Sequence, residues 1–136
     1  MNQVNLPLKL NPEFKAKWLA KLRDGSMKQC TGALHDREGY CCLGVAVEVY
    51  SGPDCWRDRG DDCDFAAPSG ADCIPDYGDM ADEDIEVLNQ KIPGYTPITD
   101  GEEDTVAGFL SRMNDGSFDK VSWTFAQIAD WIEVNL

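Results

Sequence analysis

Six cysteines and a single histidine are the residues of this 136-residue chain best suited to metal binding or nucleophilic catalysis. Cys30, Cys41 and Cys42 lie on either side of His35, so a zinc site is the first chemistry to test. Structural zinc sites pair their ligands two to four residues apart, and adjacent cysteines do not easily reach one tetrahedral ion together. Cys55, Cys63 and Cys73 are separated by seven and nine residues, again not a ligand spacing. Cys41 and Cys42 stand before an apolar run, where thiols behave as small hydrophobes. The expectation is core thiols. A Cys–His nucleophile needs a thiolate beside a base and a third group that orients the base. His35 falls in the polar turn His35–Gly39 beside Asp36, with no thiol placed against its ring. No catalytic residue, metal ligand or cofactor is therefore expected.

Carboxylates are the other abundant chemistry. A calcium loop needs acids at alternate positions, a glycine and a closing glutamate. Neither Asp58–Asp64 nor Asp76–Glu86 meets that pattern, and Gly25, Gly32, Gly39 and Gly44 are too scattered for a phosphate loop. What stands out is the distribution of charge. Residues 1–50 hold five acids and seven bases, net +2; residues 54–86 hold twelve acids and two bases, net −10. Residues 87–136 hold eight acids and three bases, net −5, which completes the total of −13.

A charge of that size works against nucleic acid, whose capture rests on basic residues neutralising phosphates, and against anionic membranes. It favours a partner with a basic surface. The central acidic stretch has two readings: a solvated, self-repelling loop, or a phosphate-like surface presented to a protein that normally holds nucleic acid. Under the second, the binding residues are Asp58, Asp61, Asp62, Asp64, Asp79, Asp82, Glu83 and Asp84, with Trp56 and Tyr77 as aromatic anchors. An alternative is a small-ligand binder that sequesters a nucleotide signal, lined by Arg23, Lys28, Gln29 and Arg37.

The elements that must position these residues are mostly helical. Asn11, Pro12 and Glu13 mark a helix start, and Phe14, Trp18, Leu19 and Leu22 give it one apolar face that Gly25 ends. Gln29–Leu34 and Gly39–Cys42 read as short extended segments, a small hairpin. The run Leu43–Tyr50 fits a buried strand or a buried helix; Ala46, Glu48 and the Ser51-Gly52-Pro53 stop favour helix. From Asp54 to Met80 periodicity is lost, as in a functional loop or an insertion. Asp82 caps a short helix reaching about Gln90. Asp100 and Glu103 resemble a capping signal for a helix with the stripe Val106, Phe109, Leu110 and Met113, ended by Asn114-Asp115-Gly116. Thr124 and Gln127 form a capping box for a last helix that turns Phe125, Ile128, Ala129 and Ile132 inward.

These segments predict one domain over residues 1–136 with an acidic insertion at about 54–80. Its class is α+β, mainly helical: four or five helices, a small extended or hairpin element and one long acidic irregular loop. The length is enough to bury roughly two-thirds of the unfolded surface without staples. Residues 1–10 carry no targeting pattern, and no run approaches the roughly 18 apolar residues of a membrane span.

Two parts of the chain resemble a family of small, largely uncharacterised accessory proteins of tailed bacteriophages and prophages. One comprises Trp18, Leu22-Arg23, Gly25, Gln29, Gly32 and Leu34, then Tyr40-Cys41-Cys42-Leu43-Gly44-Val45. The other comprises Leu110, Met113-Asn114-Asp115-Gly116, Phe125, Ile128-Ala129 and Trp131-Ile132-Glu133. The acidic stretch lies outside the resemblance, as an elaboration of this protein. The resemblance implies a setting, the cytoplasm of a host bacterium, and no reaction. Small acidic phage proteins often inhibit host defence, so by analogy the expectation is a non-enzymatic inhibitor of a host protein, such as a nucleic-acid-targeting defence component.

Overall fold

The computed structural model describes residues 5–30, 39–52, 57–58, 65–66, 80–95, 104–116 and 122–136. Within them the fold is mainly helical. Helix α1 spans Pro12–Arg23 and α2 spans Cys42–Ser51; α3 is Asp82–Asn89, α4 Val106–Asp115 and α5 Phe125–Asn135. Two strands of two residues each, β1 (Arg57–Asp58) and β2 (Phe65–Ala66), pair antiparallel with Asp58 opposite Phe65.

Local chemistry sets the helix ends. The Asn11 side chain accepts from the Glu13 and Phe14 amides at 2.9 and 3.4 Å, and Pro12 occupies the first turn, where its missing N–H costs nothing. Phe14, Trp18, Leu19 and Leu22 are buried, the face the spacing predicts. The cap at the other end is Asp24, and Gly25 follows in the left-handed region at φ 77°. In α5 the capping box forms in full: the Thr124 hydroxyl accepts from the Gln127 amide, and the Gln127 side chain accepts from the Thr124 amide.

The ambiguous run 43–50 is a helix. Every residue from Cys41 to Val47 is buried, so the first half of α2 is enclosed on all sides, packed against α1 and α4. Helix α1 also packs on α5, and α4 on α5, which closes a ring of four helices; α3 leans on α4. Leu6 and Leu10 bury under this ring, with the Leu10 amide on the Leu136 carbonyl at 3.0 Å.

Several expectations need correction. The hairpin expected from Gln29–Leu34 and Gly39–Cys42 lies partly outside the described residues; within them a parallel bridge joins Gln29 and Tyr40. Cys41 is already the N-cap of α2, which leaves Tyr40 alone to pair. Asp82 does not cap α3; it is the first helical residue, behind an Ala81 cap that makes no side-chain bond. Asp100 and Glu103 lie outside the described residues, and the cap of α4 is Thr105, whose side chain accepts from the Gly108 amide at 3.1 Å. The buried arc of α4 is also wider than one stripe: Val106 and Leu110 are joined by Ala107, Arg112 and Asn114, while Phe109 and Met113 are half-buried. Contact with α2, α3 and α5 at once is the reason.

Candidate interaction surface

Helix α3 is the described part of the acidic stretch with side chains in place. Three consecutive acids, Asp82, Glu83 and Asp84, fill its first turn, where carboxylates offset the positive end of the helix dipole. Asp82, Glu83 and Glu86 are exposed, and the opposite face buries Val87 and Leu88. No basic residue stands in this helix to balance them.

Asp84 departs from the expected binding set. It is 1% exposed, because it shares the inward face with Val87 and Leu88 at the i, i+3, i+4 spacing. Its Oδ1 accepts the Asn11 amide at 2.9 Å and its Oδ2 accepts the Tyr50 hydroxyl. One carboxylate thus ties the start of α1, the end of α2 and the start of α3. Burial first, and the bond to Asp84 second, push the Tyr50 phenol up to about 12. Asp84 is an interior anchor.

Of the other expected residues, Asp58 lies in β1, and Trp56, Asp61, Asp62, Asp64, Tyr77 and Asp79 lie outside the described residues. Of the second set, the described members Arg23, Lys28 and Gln29 do not line a common pocket. Arg23 bonds Asp130 at 2.8 Å and Glu133 at 3.1 Å on α5, which holds its guanidinium above its ordinary pKa, Glu133 contributing most. The Gln29 amide turns inward to the Asn114 Oδ1 at 3.0 Å and the Trp123 carbonyl at 2.8 Å. Lys28 is exposed, and Arg37 lies outside the described residues.

Open space lies instead along the groove between α1 and α2. A cleft of about 470 Å³ is lined by Lys17, Lys21, Asp24, Met27 and Glu48. A second, of about 340 Å³, continues past Phe14 and Tyr50 to Glu83. Both walls mix charges of either sign, and nothing in them is a nucleophile with its base.

The three described cysteines, Cys30, Cys41 and Cys42, are buried free thiols. Burial pushes Cys41 up to about 12 and Cys42 well above the ordinary thiol range, so neither is a thiolate at neutral pH. Among the described residues no group of three or more His, Cys, Asp or Glu gathers to hold a metal ion. No helix of the described residues is long and apolar enough to cross a membrane.

The two segments that carry the sequence resemblance meet in one polar knot. The indole N–H of Trp18 donates to the Cys42 carbonyl at 3.0 Å. The Asn114 Oδ1 accepts from the Cys42 amide at 3.1 Å and from Gln29, while its Nδ2 donates to the Cys30 carbonyl at 2.8 Å and to Asp115. Asn114 is fully buried, and both polar atoms of its amide are satisfied. The motif residues act as joinery between the chain's two halves. Sequence reasoning missed both Asn114 and Tyr50. The signal for Tyr50 was its hydroxyl at the end of an apolar run, where a buried phenol needs a partner.

No curated protein and no solved structure matches this chain. A family model described as "Domain of unknown function (DUF8296)" matches residues 10–136, a span that takes in the acidic stretch and all five helices described. On that match the chain belongs to the DUF8296 family.

Proposed function

We propose that this protein is a non-enzymatic binding module that engages a basic surface on another protein through its acidic segment. In its specific form the proposal is a phage-encoded inhibitor acting in the host bacterial cytoplasm on a nucleic-acid-targeting defence protein. The observation that carries it is the charge distribution: twelve acids against two bases within residues 54–86, in a chain whose first fifty residues are net positive. The exposed Asp82, Glu83 and Glu86 extend that charge onto a helix seated on the core. Closely spaced carboxylates compete for lysine and arginine side chains that otherwise bind phosphates, and they speed encounter with a basic partner.

The test is capture of the tagged protein's partner from a bacterial lysate at low and high salt, repeated with charge-neutralised variants. One set carries Asp82→Asn with Glu83→Gln; the other carries Asp61→Asn, Asp62→Asn and Asp64→Asn. The expected result is stoichiometric recovery of one basic protein, lost at high salt and weakened in both variants. Equal capture by wild type and variants overturns the acidic-surface reading.

A further inference from the structure

Helix α3 has the weakest local support of the five. It is eight residues long, has no side-chain cap, and places three exposed carboxylates on one short element. Isolated helices of this length are unstable in water, and like charges one turn apart reduce stability further. Its C-terminal end is nevertheless well tied. The Val106 amide donates to the Gln90 carbonyl at 3.0 Å, and the Gln90 side chain exchanges two bonds with the Leu8 backbone, at 2.8 and 3.1 Å.

The N-terminal end is held differently. Gly52, in the left-handed region at φ 83°, ends α2, and the buried Met80 stands just before α3. The side-chain connection between these two points, among the bonds the structure describes, is Tyr50 to Asp84, with the Asn11 amide on the same carboxylate. We propose that the Tyr50–Asp84 pair is a latch: it fastens the first turn of α3 to the end of α2, and its release lets that turn unwind while Val87, Leu88 and the four-helix ring stay in place.

The physical basis is an asymmetry of anchors. At the Gln90 end the ties are backbone bonds and a two-point amide contact. At the Asp84 end a buried carboxylate depends on one hydroxyl and one amide, with repulsion from Asp82 and Glu83 beside it. A buried carboxyl group that loses a hydrogen-bond donor regains a partner by moving outward to water, which here means unwinding the first turn. Low-stability units of this kind open locally, below the global unfolding free energy.

Native-state hydrogen exchange on the full chain tests the latch, comparing wild type, Tyr50→Phe and Asp82→Asn. In Tyr50→Phe the amides of Asn11, Asp84 and Ile85 exchange about tenfold faster or more, the factor a lost hydrogen bond to a charged group implies. The amides of Ile92, Val106 and Leu136 keep their wild-type rates. Asp82→Asn, which alters charge on the same turn but leaves the latch intact, changes these rates by less than Tyr50→Phe does. Unchanged rates at Asn11, Asp84 and Ile85 in Tyr50→Phe overturn the proposal. Equal acceleration of all six amides also overturns it, since that is global destabilisation.

Discussion

Gln29 and Asn114, eighty-five positions apart in the chain, are joined by a 3.0 Å hydrogen bond between their side-chain amides. The bond locks the segment after α1 to the last turn of α4, and Asn114 extends it to the Cys30 carbonyl and the Cys42 amide. Replacing Asn114 by alanine removes the acceptor of the Cys42 amide and a donor to the Cys30 carbonyl at a fully buried position. The expected loss is about 3 kcal/mol or more, from the lost hydrogen bonds and the vacated volume. Gln29→Ala costs less, about 1–2 kcal/mol, because Gln29 is only half-buried and the Asn114 Oδ1 keeps the Cys42 amide as a donor. The double variant falls short of the sum, and chemical denaturation of the four proteins in a cycle measures the shortfall. Additive losses would show that the two amides are not coupled.

Gly39 is fixed by a close approach. A Cβ there would stand 2.1 Å from the Lys28 carbonyl oxygen, the atom that accepts the Tyr40 amide at 2.8 Å. Gly39→Ala must push these backbones apart and break the Tyr40–Lys28 and Cys30–Tyr40 bonds with them. The expected cost is about 2–4 kcal/mol, seen as a lowered denaturation midpoint. A midpoint equal to wild type would mean that the segment shifts without losing its bonds.

These two sites show what could be read from the sequence. Helix ends written in local chemistry were legible: Asn11-Pro12 for α1 and the Thr124–Gln127 box for α5 depend on neighbours within four residues. The apolar run of α2 was legible as a buried element, and its helical state followed from Ala46 and the Gly52 stop. Asn114 and Asp84 were not recognised, because a polar residue inside a helix ordinarily faces water, and only partners from distant segments reverse that. Asp84 did leave a trace, since Val87 and Leu88 follow it at core spacing. The cap of α4 was misread because acids upstream imitate a capping signal that Thr105 supplies alone.

Cys41 caps α2 through its sulfur, which accepts the Gly44 amide at 3.4 Å. Sulfur is a weak acceptor, and serine is among the preferred N-cap residues. Cys41→Ala removes the cap and is expected to cost about 1 kcal/mol. Cys41→Ser restores an acceptor in nearly the same volume and recovers most of that loss. Thermal denaturation of the three proteins gives the ranking; a serine variant no better than the alanine one would show that burial of the thiol, rather than the cap, is what counts.

Cys41 and Cys42 also make stability depend on alkaline pH. Burial raises both thiols, Cys41 to about 12 and Cys42 well above its ordinary value, whereas in the unfolded chain both ionise near the ordinary thiol value of 9.0. Above that value the unfolded state releases protons that the folded state retains, so the native state binds more protons and stability falls as pH rises. Below it neither state ionises, and this contribution is constant. Between the unfolded pKa and the folded one, the slope approaches about 1.4 kcal/mol per pH unit for each thiol. Denaturant unfolding under reducing conditions at several pH values between 8 and 11 reads this slope directly. In Cys42→Ala one thiol is gone, so its curve flattens by about 1.4 kcal/mol per pH unit relative to wild type, whatever the variant costs at neutral pH. Groups common to both proteins cancel in the comparison. Parallel curves would mean that Cys42 ionises as readily in the folded chain as in the unfolded one, and that its site is open to water.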